Sequence, residues 1–457
     1  MKRNIAHILK RAAALVLAGC LAIPLTACQS SPAASADPSD GETQAAETLP
    51  AETDIWLKVK EEEYGTDGTL KTRRENEYNE YGQIIRTVAY NADGEEIGRF
   101  EYTYDGDHKL VSHDFTWTYT YTKSVQKVKQ TVYYDAYGHR ASYESTEDTV
   151  YSDGSYPDTT KTYEGRYFCY PNGDISCSAA RETGENLYDV STYANPFEMV
   201  QTYEGDLLVK EINDTETQSR EYEYDENGNL IKITTNIDLK TDEPKSYDTL
   251  YTYEERTCQT LPSISLPETE EMDVIAKADT YDPSGEYLYA YYYGYDAYGR
   301  QIGASYSKNA VQDEYNEYDD NGQVIRVWAN GLVADMTYND QGQRIREDYR
   351  SEPDGEILFH SECIYDEDGN LSQMISHGDQ EDYSEAEGRT QNYEYDENGN
   401  LLFCRLYDGS GTLLAYDAYT YGEDGKIAQI TTYDGDDNIS YTTYPKYETI
   451  SVFAAKD

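Results

Sequence analysis

The sequence predicts an all-β protein made of repeated β-hairpins, and three observations support this prediction. A short motif of tyrosine, an acidic or amide residue and glycine recurs along the 457 residues. Tyrosine is abundant, with 50 copies against 7 of phenylalanine and 3 of tryptophan, and its ring packs on a pleated sheet while its hydroxyl stays hydrated. Polar residues and tyrosine also alternate, as in TWTYTYT. We therefore expect an elongated, twisted or coiled antiparallel sheet, open and solenoid-like, after a disordered N-terminal tether.

The repeated motif has the form Tyr-Asp/Asn-x-x-Gly-x-aliphatic. An extended copy, YEYDENGNL, occurs unchanged at 222–230 and 393–401. Full copies start at positions 64, 78, 90, 134, 224, 281, 295, 318, 338, 365, 395, 407 and 421. The starts are separated by 14 and then 12 residues from 64 to 90, and by 12 and then 14 from 395 to 421. Self-similarity at a fixed period is the signature of a repeat array.

Each copy of the motif predicts a β-hairpin. Asp225 stands at the first turn position, where its carboxylate accepts a backbone N–H bond, and Gly228 takes the left-handed conformation at the fourth. A type I turn followed by a left-handed glycine is a three-residue hairpin loop with a G1 bulge. This register pairs Tyr224 with Leu230 across the strands. In the second copy the turn-forming residues are Asp396 and Gly399.

The first 27 residues are predicted to be an export signal peptide. MKRNIAHILKR supplies a basic start, and the apolar run AAALVLAGCLAIPL is too short to span a membrane. The run ends in LTAC at 25–28, which resembles a bacterial lipobox, so we expect Cys28 to be lipidated after cleavage. LAGC at 17–20 also fits, but leaves only about five apolar residues before the box. An ordinary cleaved signal is the alternative.

Composition divides the rest of the chain into four segments. Residues 28–54 are rich in Pro, Ala, Ser and Glu, and are predicted to be a disordered tether after the lipidated cysteine. Residues 55–254 form a predicted N-terminal β-hairpin block, and 280–450 form a C-terminal block of the repeats. Residues 255–279 contain two prolines and no motif. We expect an irregular crossing segment there, with a short helix in ETEEMDVIAKA.

The chain is strongly acidic. Its 88 acidic residues outnumber 37 basic ones, which gives a net charge of −51. Such a surface repels phosphate backbones, so nucleic acid is excluded as a partner. Disorder is the alternative for an acidic, hydrophilic chain. The regular spacing of tyrosine, leucine and isoleucine argues against disorder over most of the length.

The oxygen-rich motif raises the question of a calcium loop. An EF-hand needs oxygen ligands at positions 1, 3 and 5, glycine at 6 and glutamate at 12. With Gly228 at position 6, position 12 is Thr234. With Gly399 there, position 12 is Arg405, so the bidentate carboxylate is missing in both copies. Turn chemistry explains the oxygens, and we predict no metal site and no cofactor.

Catalytic motifs have little support in this sequence. It contains no G-x-S-x-G nucleophile motif and no phosphate-binding glycine loop. The histidines of the repeat region lack helical or tight metal-binding spacing; they are His108, His113, His139, His360 and His377. A carboxylate pair for glycoside hydrolysis is an alternative, but 88 acidic residues guarantee some pair at a suitable distance. We therefore predict that the protein is not an enzyme.

Five cysteines lie in the predicted repeat region. They are Cys169, Cys177, Cys258, Cys363 and Cys404, an odd number without metal-binding spacing. Cys169 and Cys177 flank the turn YPNG, and are diagonal in the favoured hairpin register, which is wide for a disulfide. A bridge between these two and free, half-buried thiols remain alternatives.

The segment YLYAYYYGY offers a candidate aromatic binding face. Alternation along a strand places every second tyrosine on one face; these are Tyr287, Tyr289, Tyr291, Tyr293 and Tyr295. Tyr292 faces the other way. Rows of rings and hydroxyls suit sugar or peptide recognition. The alternative is that these rings belong to the core.

The Tyr-Asp-x-x-Gly-x-Leu units resemble YD repeats (RHS repeats), which occur in Rhs and teneurin-type proteins; variant MORN-like repeats are the second resemblance. The resemblance covers about residues 60–450. It implies extended β-hairpin arrays, sometimes coiled into a shell, on secreted or surface proteins. The core segment and toxin tail of such proteins have no counterpart here, so a toxin-delivery role is not supported.

These observations predict an acidic repeat protein anchored in the bacterial cell membrane by its lipid and exposed on the extracytoplasmic face. We expect a non-catalytic surface lipoprotein for binding or adhesion, with a glycan or another envelope polymer as the partner. A structural or spacer protein of the envelope without a soluble ligand is the alternative. A carbohydrate-active hydrolase is a third hypothesis.

Overall fold

The computed structural model describes residues 52–454 except for short segments. The omitted positions are 153, 155, 184, 186–187, 193–198, 206, 214–216, 242, 262–265 and 307–312. The predicted signal peptide, the lipidation site Cys28 and nearly all of the predicted tether lie outside the described residues. In the part that is described, no helix is long and apolar enough to cross a membrane. A short 3₁₀ helix occupies Glu381–Ala386.

Fifteen strands build a first antiparallel sheet. They are β1 (Glu52–Tyr64), β2 (Leu70–Tyr78), β3 (Ile84–Asn91), β4 (Glu96–Tyr104), β5 (Leu110–Thr120), β6 (Ser124–Tyr134), β7 (Arg140–Tyr151), β8 (Thr159–Cys169), β9 (Ile175–Glu182), β10 (Asp189–Thr192), β11 (Met199–Glu204), β12 (Leu207–Asn213), β13 (Ser219–Tyr224), β14 (Leu230–Ile237) and β15 (Lys245–Gln259). The strand order is β10 to β1 followed by β15 to β11. Neighbours in the sheet are therefore neighbours in the chain, except where β1 pairs with β15.

Fourteen further strands build a closed barrel. They are β16 (Thr269–Tyr281), β17 (Tyr287–Tyr295), β18 (Gln301–Tyr306), β19 (Glu314–Tyr318), β20 (Val324–Ala329), β21 (Leu332–Tyr338), β22 (Arg344–Arg350), β23 (Phe359–Tyr365), β24 (Leu371–Gly378), β25 (Thr390–Tyr395), β26 (Leu401–Tyr407), β27 (Leu413–Tyr421), β28 (Ile427–Asp434) and β29 (Ile439–Phe453). Each strand pairs with the next in the chain, and β29 returns to pair with β16.

The predicted all-β, antiparallel class is confirmed, whereas the open, solenoid-like form is wrong for the C-terminal strands. Strands β16 and β29 pair from Thr269↔Phe453 to Tyr281↔Thr442. This long pairing gives both free edges of the sheet a partner, and a closed barrel has no exposed edge. Closure depends on the accumulated twist and tilt of the strands. The local motif does not encode that property.

The hairpins have the register that the motif predicts. Tyr224 pairs with Leu230, and the register shifts by one residue beside them, as a bulge requires. The amide of Gly228 donates to the carbonyl of Asp225 at 3.1 Å, and Gly228 has φ of 81°. This left-handed conformation explains why glycine recurs at the fourth turn position.

A belt of tyrosine hydroxyls runs around one end of the barrel. Six hydroxyls donate to a carbonyl: Tyr295 to Ile275 at 2.9 Å, Tyr318 to Gln301 at 2.6 Å, Tyr338 to Val324 at 2.7 Å, Tyr365 to Arg344 at 2.9 Å, Tyr395 to Leu371 at 3.1 Å and Tyr421 to Leu401 at 2.9 Å. A seventh, Tyr447, accepts from the amide of Ile427 at 3.1 Å. In five of these bonds, the motif tyrosine that ends an odd-numbered strand donates to the carbonyl of the first residue of the preceding even-numbered strand. Tyr295 instead reaches the middle of β16, and Tyr447 lies within β29 outside the motif.

The tyrosine belt begins where the backbone ladders between hairpins end. In the pairing of β24 with β25, the last pair toward this end is Gln373↔Asn392. The carbonyl of Leu371 lies beyond it, and the hydroxyl of Tyr395 reaches that carbonyl. A buried backbone carbonyl without a partner is costly. This need explains why the repeats use tyrosine and not phenylalanine.

The chain divides into two compact units, and the division interrupts the predicted N-terminal block. One unit contains residues 165–194 together with the barrel; the other contains the remaining described residues up to 266. Within the first unit, Cys177 of β9 packs so close to Gly294 of β17 that a Cβ at that glycine would collide with the thiol side chain. Val190 of β10 and Tyr315 of β19 belong to the same buried cluster. The predicted blocks 55–254 and 280–450 instead assign residues 165–194 and the barrel strands to different blocks.

The segment 255–279 contains more regular structure than predicted. Residues 255–259 continue β15, and 269–279 belong to β16. The predicted helix in ETEEMDVIAKA is wrong, because this stretch is a strand. Val274 is buried while its neighbour Asp273 is exposed, which is the period-two alternation of a strand. Pairing with β29 therefore outweighs the helical propensity of the alanine and glutamate residues.

None of the five cysteines of the described residues is in a disulfide, so Cys169 and Cys177 do not form a bridge. Four of the five are buried and Cys363 is half-buried. Burial raises the pKa of the Cys177 thiol far above its ordinary value. These thiols behave as small apolar side chains in the core.

Candidate binding site on the inner face of the barrel

Electrostatic interactions identify the inner face of the barrel. Burial raises the pKa of Tyr289 on β17 to about 12, and Tyr306 and Asp417 add to that rise. Asp417 lies on β27, which β28, β29 and β16 separate from β17 in the sheet. The two side chains therefore approach through the barrel interior and not along the sheet. Tyr441 of β29 faces the same space, because burial, Asp417 and Tyr289 all raise its pKa.

Strand β17 presents its odd-numbered tyrosines to this interior. Small partners make room for two of the rings, since Tyr291 pairs with Ala278 and Tyr293 with Ala304. Tyr292 lies on the other face, where its ring contacts the ammonium group of Lys277. The alternation predicted from YLYAYYYGY therefore matches the contacts.

The predicted aromatic face is exposed at one end only. Tyr287 is 47% exposed, whereas Tyr293 and Tyr295 are each 6% exposed. Tyr293 and Tyr295 pack in a buried cluster with Val274 and Val452, so exposure is wrong for these two tyrosines. Their rings belong to the core, which was the alternative that the sequence left open.

The half-buried tyrosines between these extremes form a cluster with a residue of the next strand. The ring of Tyr306 lies 4.9 Å from that of Tyr289 and 5.2 Å from that of Tyr291, measured between centroids. Tyr289 and Tyr291 are 5.8 Å apart in an edge-to-face arrangement. We call Tyr289, Tyr291, Tyr306 and Tyr441 the inner tyrosine cluster. Its phenols stay neutral, because burial raises the pKa of each.

Asp417 is a buried carboxyl group beside the inner tyrosine cluster. It is 3% exposed, and burial raises its pKa to about 7, although the hydroxyl of Thr432 donates to its Oδ1 and opposes the rise. At neutral pH the group is therefore divided between its protonated and ionised forms. It can act as donor or acceptor toward a polar partner.

Glu314 places a second desolvated acid on the same face. Its charge contributes to raising the pKa of Tyr291, and burial raises its own pKa. The side-chain amide of Asn316 donates to Glu314 Oε1 at 3.1 Å. Five strands lie between β19, which carries Glu314, and β27, which carries Asp417, along the shorter way around the barrel.

A third acid, Glu347 on β22, is already neutralised. Arg344 Nη1 lies 2.9 Å from its Oε1, and the hydroxyl of Tyr349 donates to its Oε2. Since all three groups are engaged with one another, this cluster contributes to the structure of the interior and offers little to a ligand.

The motif acids are occupied by their own turns. Asp225 Oδ1 accepts from the amides of Asn227 and Asn229 at 2.9 and 2.8 Å, and its Oδ2 accepts from the Asn229 side chain at 2.9 Å. Asp396 makes the equivalent bonds in the second copy. These bonds lower the pKa of both carboxyls. Each carboxylate therefore serves its own turn.

Sequence inspection did not find Tyr306, Tyr441, Glu314 or Asp417. Each lies on a different strand, and closure of the barrel brings them together. Glu314 and Asp417 had one signal, since alternation places them on the same strand face as Tyr318 and Tyr421 of the motif. Neither acid belongs to a motif turn.

The inner tyrosine cluster is suited to uncharged, hydroxylated molecules. Tyrosine rings offer flat surfaces for stacking, and neutral phenols both donate and accept hydrogen bonds. Ligand sites usually combine aromatic walls with a few polar groups, and the cluster supplies both kinds of group.

Comparisons with known proteins provide no family. No family model matches the chain, and no curated protein matches it. Among solved structures, the chain is similar to a porin-like protein from Bacteroides uniformis ATCC 8492, with 11% identity over 43% of this chain and 98% of that chain. The TM-score of 0.19 is too low to assign a fold or a function from this likeness.

Proposed function

We propose that this protein is a non-catalytic surface lipoprotein that binds a neutral glycan, or another hydroxylated envelope polymer, on the inner face of its barrel. The observation that carries the proposal is the inner tyrosine cluster, in which Tyr306 lies 4.9 Å from Tyr289 and 5.2 Å from Tyr291. Lipid anchoring through Cys28 and relation to YD-repeat proteins are parts of the same proposal, supported by the sequence.

Charge narrows the class of ligand. A net charge of −51 repels polyanions, and the two desolvated acids near the cluster disfavour an anionic group still further. A neutral sugar carries hydroxyls that match Asp417 and the phenols, and its apolar face stacks on tyrosine. The proposed ligand is therefore an uncharged saccharide.

The outer face of the barrel supports a protein that is surrounded by water. Arg326 and Asp335 lie 2.6 Å apart, and Arg346 and Asp348 lie 2.7 Å apart. Lipid-facing strands instead carry an apolar band on their outer side. In the proposal, the membrane is reached through the lipidated N-terminus.

A hydrolase is disfavoured by the separation of the acids. A retaining or inverting glycosidase requires two carboxyl groups that flank one bond. Glu314 and Asp417 lie on strands β19 and β27, which five other strands separate along the shorter way around the barrel. Binding without hydrolysis is therefore the better explanation of these acids.

A spacer protein without a soluble ligand is the second candidate. The tyrosine belt favours it, because a continuous ring of side-chain bonds stiffens one end of the barrel and has no need of a partner. The binding experiment below separates the two functions.

Glycan-array screening of the full chain, followed by calorimetry with the best neutral oligosaccharide, tests the proposal. Replacing Tyr291 by alanine removes a stacking surface and should weaken binding by about tenfold or more. Tyr292→Ala is the matched control, since that ring belongs to the same strand but faces outward, and it should leave affinity unchanged. Binding of no neutral glycan, or equal losses in both variants, would favour the spacer function.

A further inference from the structure

Two histidines that lie far apart in sequence meet on the outer face of the barrel. One donor atom from each of His360, Glu362 and His377 lies within 4.8 Å of those of the other two. The two imidazole rings are stacked, with centroids 5.0 Å apart and an interplanar angle of 27°. Both histidines are half-buried and Glu362 is exposed, so an ion from solution can reach all three.

The hairpin of β23 and β24 fixes this arrangement. Its motif turn pairs Tyr365 with Leu371, and counting back along the ladder places His360 directly opposite His377. Glu362 lies two residues after His360 and therefore on the same face. Spacing along the sequence does not show the cluster, whereas the register of the turn predicts it.

Carboxylates hold one nitrogen of each imidazole. Asp379 Oδ2 lies 2.6 Å from Nδ1 of His360, and Glu387 Oε1 lies 3.4 Å from Nδ1 of His377. Histidines that bind metals nearly always donate their other ring N–H to a carboxylate or carbonyl, which fixes the tautomer and makes the ligand nitrogen more basic. With each Nδ1 engaged, Nε2 is the nitrogen left for an ion.

The connection after β24 supports the two carboxylates. Asp379 follows the strand directly, and its amide donates to the carbonyl of Leu358 at 3.1 Å. Glu387 comes after the 3₁₀ helix Glu381–Ala386, and its Oε2 accepts from the amide of Gly378 at 3.1 Å. Backbone hydrogen bonds thus hold both orienting residues, Asp379 and Glu387, and their position does not depend on a metal.

The third donor is available to an ion. The cross-strand neighbour of Glu362 on β22 is Arg346, but that guanidinium is engaged by Asp348, with Nε and Oδ1 2.7 Å apart. Glu362 is therefore not paired with its cross-strand cation. Its exposed side chain can rotate toward the histidines at little cost in free energy.

Two imidazoles and one carboxylate are a donor set that zinc prefers. Zinc binds nitrogen and oxygen at about 2.0–2.2 Å, which brings tetrahedral ligand atoms to about 3.4 Å from one another. The donor atoms now lie up to 4.8 Å apart, so binding requires side-chain rotation that closes them by about 1.4 Å and turns Nε2 of each histidine toward the ion. Three protein ligands leave one coordination position open.

We propose that His360, His377 and Glu362 form a binding site for a divalent transition-metal ion, zinc being the best match, with Asp379 and Glu387 orienting the two histidines. This site is separate from the inner tyrosine cluster, because it lies on the opposite face of the sheet. It does not depend on the proposed glycan function.

Zinc titration of the metal-free full chain, followed by calorimetry in the presence of excess calcium and magnesium, tests the site. The hard cations occupy the general acidic surface, so the remaining signal reports the histidines. We expect one equivalent of zinc. His377→Ala should weaken binding by at least about 100-fold, and Asp379→Asn, which removes only an orienting carboxylate, by about 10–100-fold.

His139→Ala is the matched control. That histidine also has a carboxylate neighbour, with Nδ1 3.7 Å from Asp135 Oδ2, but among the described residues it does not belong to a group of three metal-ligating side chains. Its replacement should leave zinc affinity unchanged. Circular dichroism of each variant without metal verifies that the strands are intact.

Cobalt substitution gives a second readout. Cobalt bound by two imidazoles and one carboxylate should produce visible absorption bands of a four-coordinate site, which His360→Ala abolishes. Zinc binding that calcium displaces completely, or that survives the double replacement of His360 and His377, would overturn the proposal.

Discussion

The two ends of the barrel are built from the same motif but serve different needs. At the first, which we call the turn end, six consecutive hairpins use the motif turn, after Tyr295, Tyr318, Tyr338, Tyr365, Tyr395 and Tyr421. At the other, the loop end, the motif turns after Tyr281 and Tyr407 occur together with other connections, including the two-residue turn Asn330–Gly331 and the segment that contains the 3₁₀ helix. The tyrosine belt lies at the turn end.

The candidate sites lie toward the loop end. Tyr289 and Tyr441 are near the start of β17 and β29, and Tyr306 ends β18, all on the side of the loop end. The proposed metal site adjoins the connection after β24. The comparison teaches that the regular turns at the turn end fix the register of the strands. The connections at the loop end can then differ in length and sequence, and the candidate sites lie there.

The largest expected difference between the ends concerns two tyrosines on one strand face. Tyr295→Ala removes a buried ring and a belt hydrogen bond, and should lower the free energy of unfolding by about 3–5 kcal/mol. Tyr287→Ala, at the loop end of the same strand, should cost about 0.5 kcal/mol or less. Urea unfolding followed by circular dichroism measures both. Equal losses would break the comparison.

Asp417 gives the interior a pH dependence. Its pKa rises on folding from 3.8 to about 7, so the folded state keeps a proton that the unfolded chain has released. Its contribution to stability is therefore full at low pH and falls as pH rises through this window, by about 1.4 kcal/mol per pH unit. Urea titrations from pH 4 to 8 should show this slope in the wild type and not in Asp417→Asn.

Asp396 provides the control of opposite sign. Turn hydrogen bonds lower its pKa in the folded state, so its contribution is present above the unfolded pKa and is lost as pH falls. Asp396→Asn should remove part of the acid sensitivity and leave the slope near neutral pH unchanged. Loss of that neutral slope in Asp396→Asn would contradict the assignment to Asp417.

A smaller effect is expected from a turn glycine at the turn end. Gly399 has φ of 83°, and nothing lies within 4 Å of a Cβ built there. Gly399→Ala therefore isolates the backbone cost of the left-handed conformation, about 1–2 kcal/mol. Gly106→Ala has the same open space without positive φ, and should change the unfolding free energy little. A similar midpoint shift in both variants would contradict the turn requirement.

The smallest effect concerns single hydroxyls of the same motif at opposite ends. Tyr395→Phe removes the bond to the Leu371 carbonyl and should cost about 0.5–1.5 kcal/mol. Tyr407 ends β26, at the loop end of the barrel. Among the described residues its hydroxyl has no hydrogen-bond partner, so Tyr407→Phe should leave the free energy of unfolding unchanged. Thermal unfolding at matched pH compares the two.

Local features of the fold could be predicted, and distant ones could not. The register of Tyr224 with Leu230 follows from the spacing of Asp225 and Gly228, because turn length alone decides it. Closure of the barrel depends on the pairing of β16 with β29, about 170 residues apart in the chain. A short motif carries no information about a pairing between strands so far apart in the chain, so the sequence led to the expectation of an open sheet.

The same division applies to the candidate sites. The odd-numbered tyrosines of β17 could be assigned to one face, but their burial depends on strands β16, β18 and β29, so exposure was wrong for Tyr293 and Tyr295. His360 and His377 could have been paired by applying the predicted turn register to the motif at 365. The spacing of the two histidines along the sequence does not indicate that they are cross-strand neighbours, whereas the hairpin register does.

The tyrosine belt also bears on how such a barrel changes size. Five of the seven hydroxyls recognise only the carbonyl of the first residue of the neighbouring strand, and that backbone group is the same whichever hairpin stands there. A whole hairpin could thus be gained or lost by duplication or deletion of one motif, and the belt would close again around twelve or sixteen strands. The width of the interior would then vary in steps of two strands, while the chemistry at the turn end stayed constant.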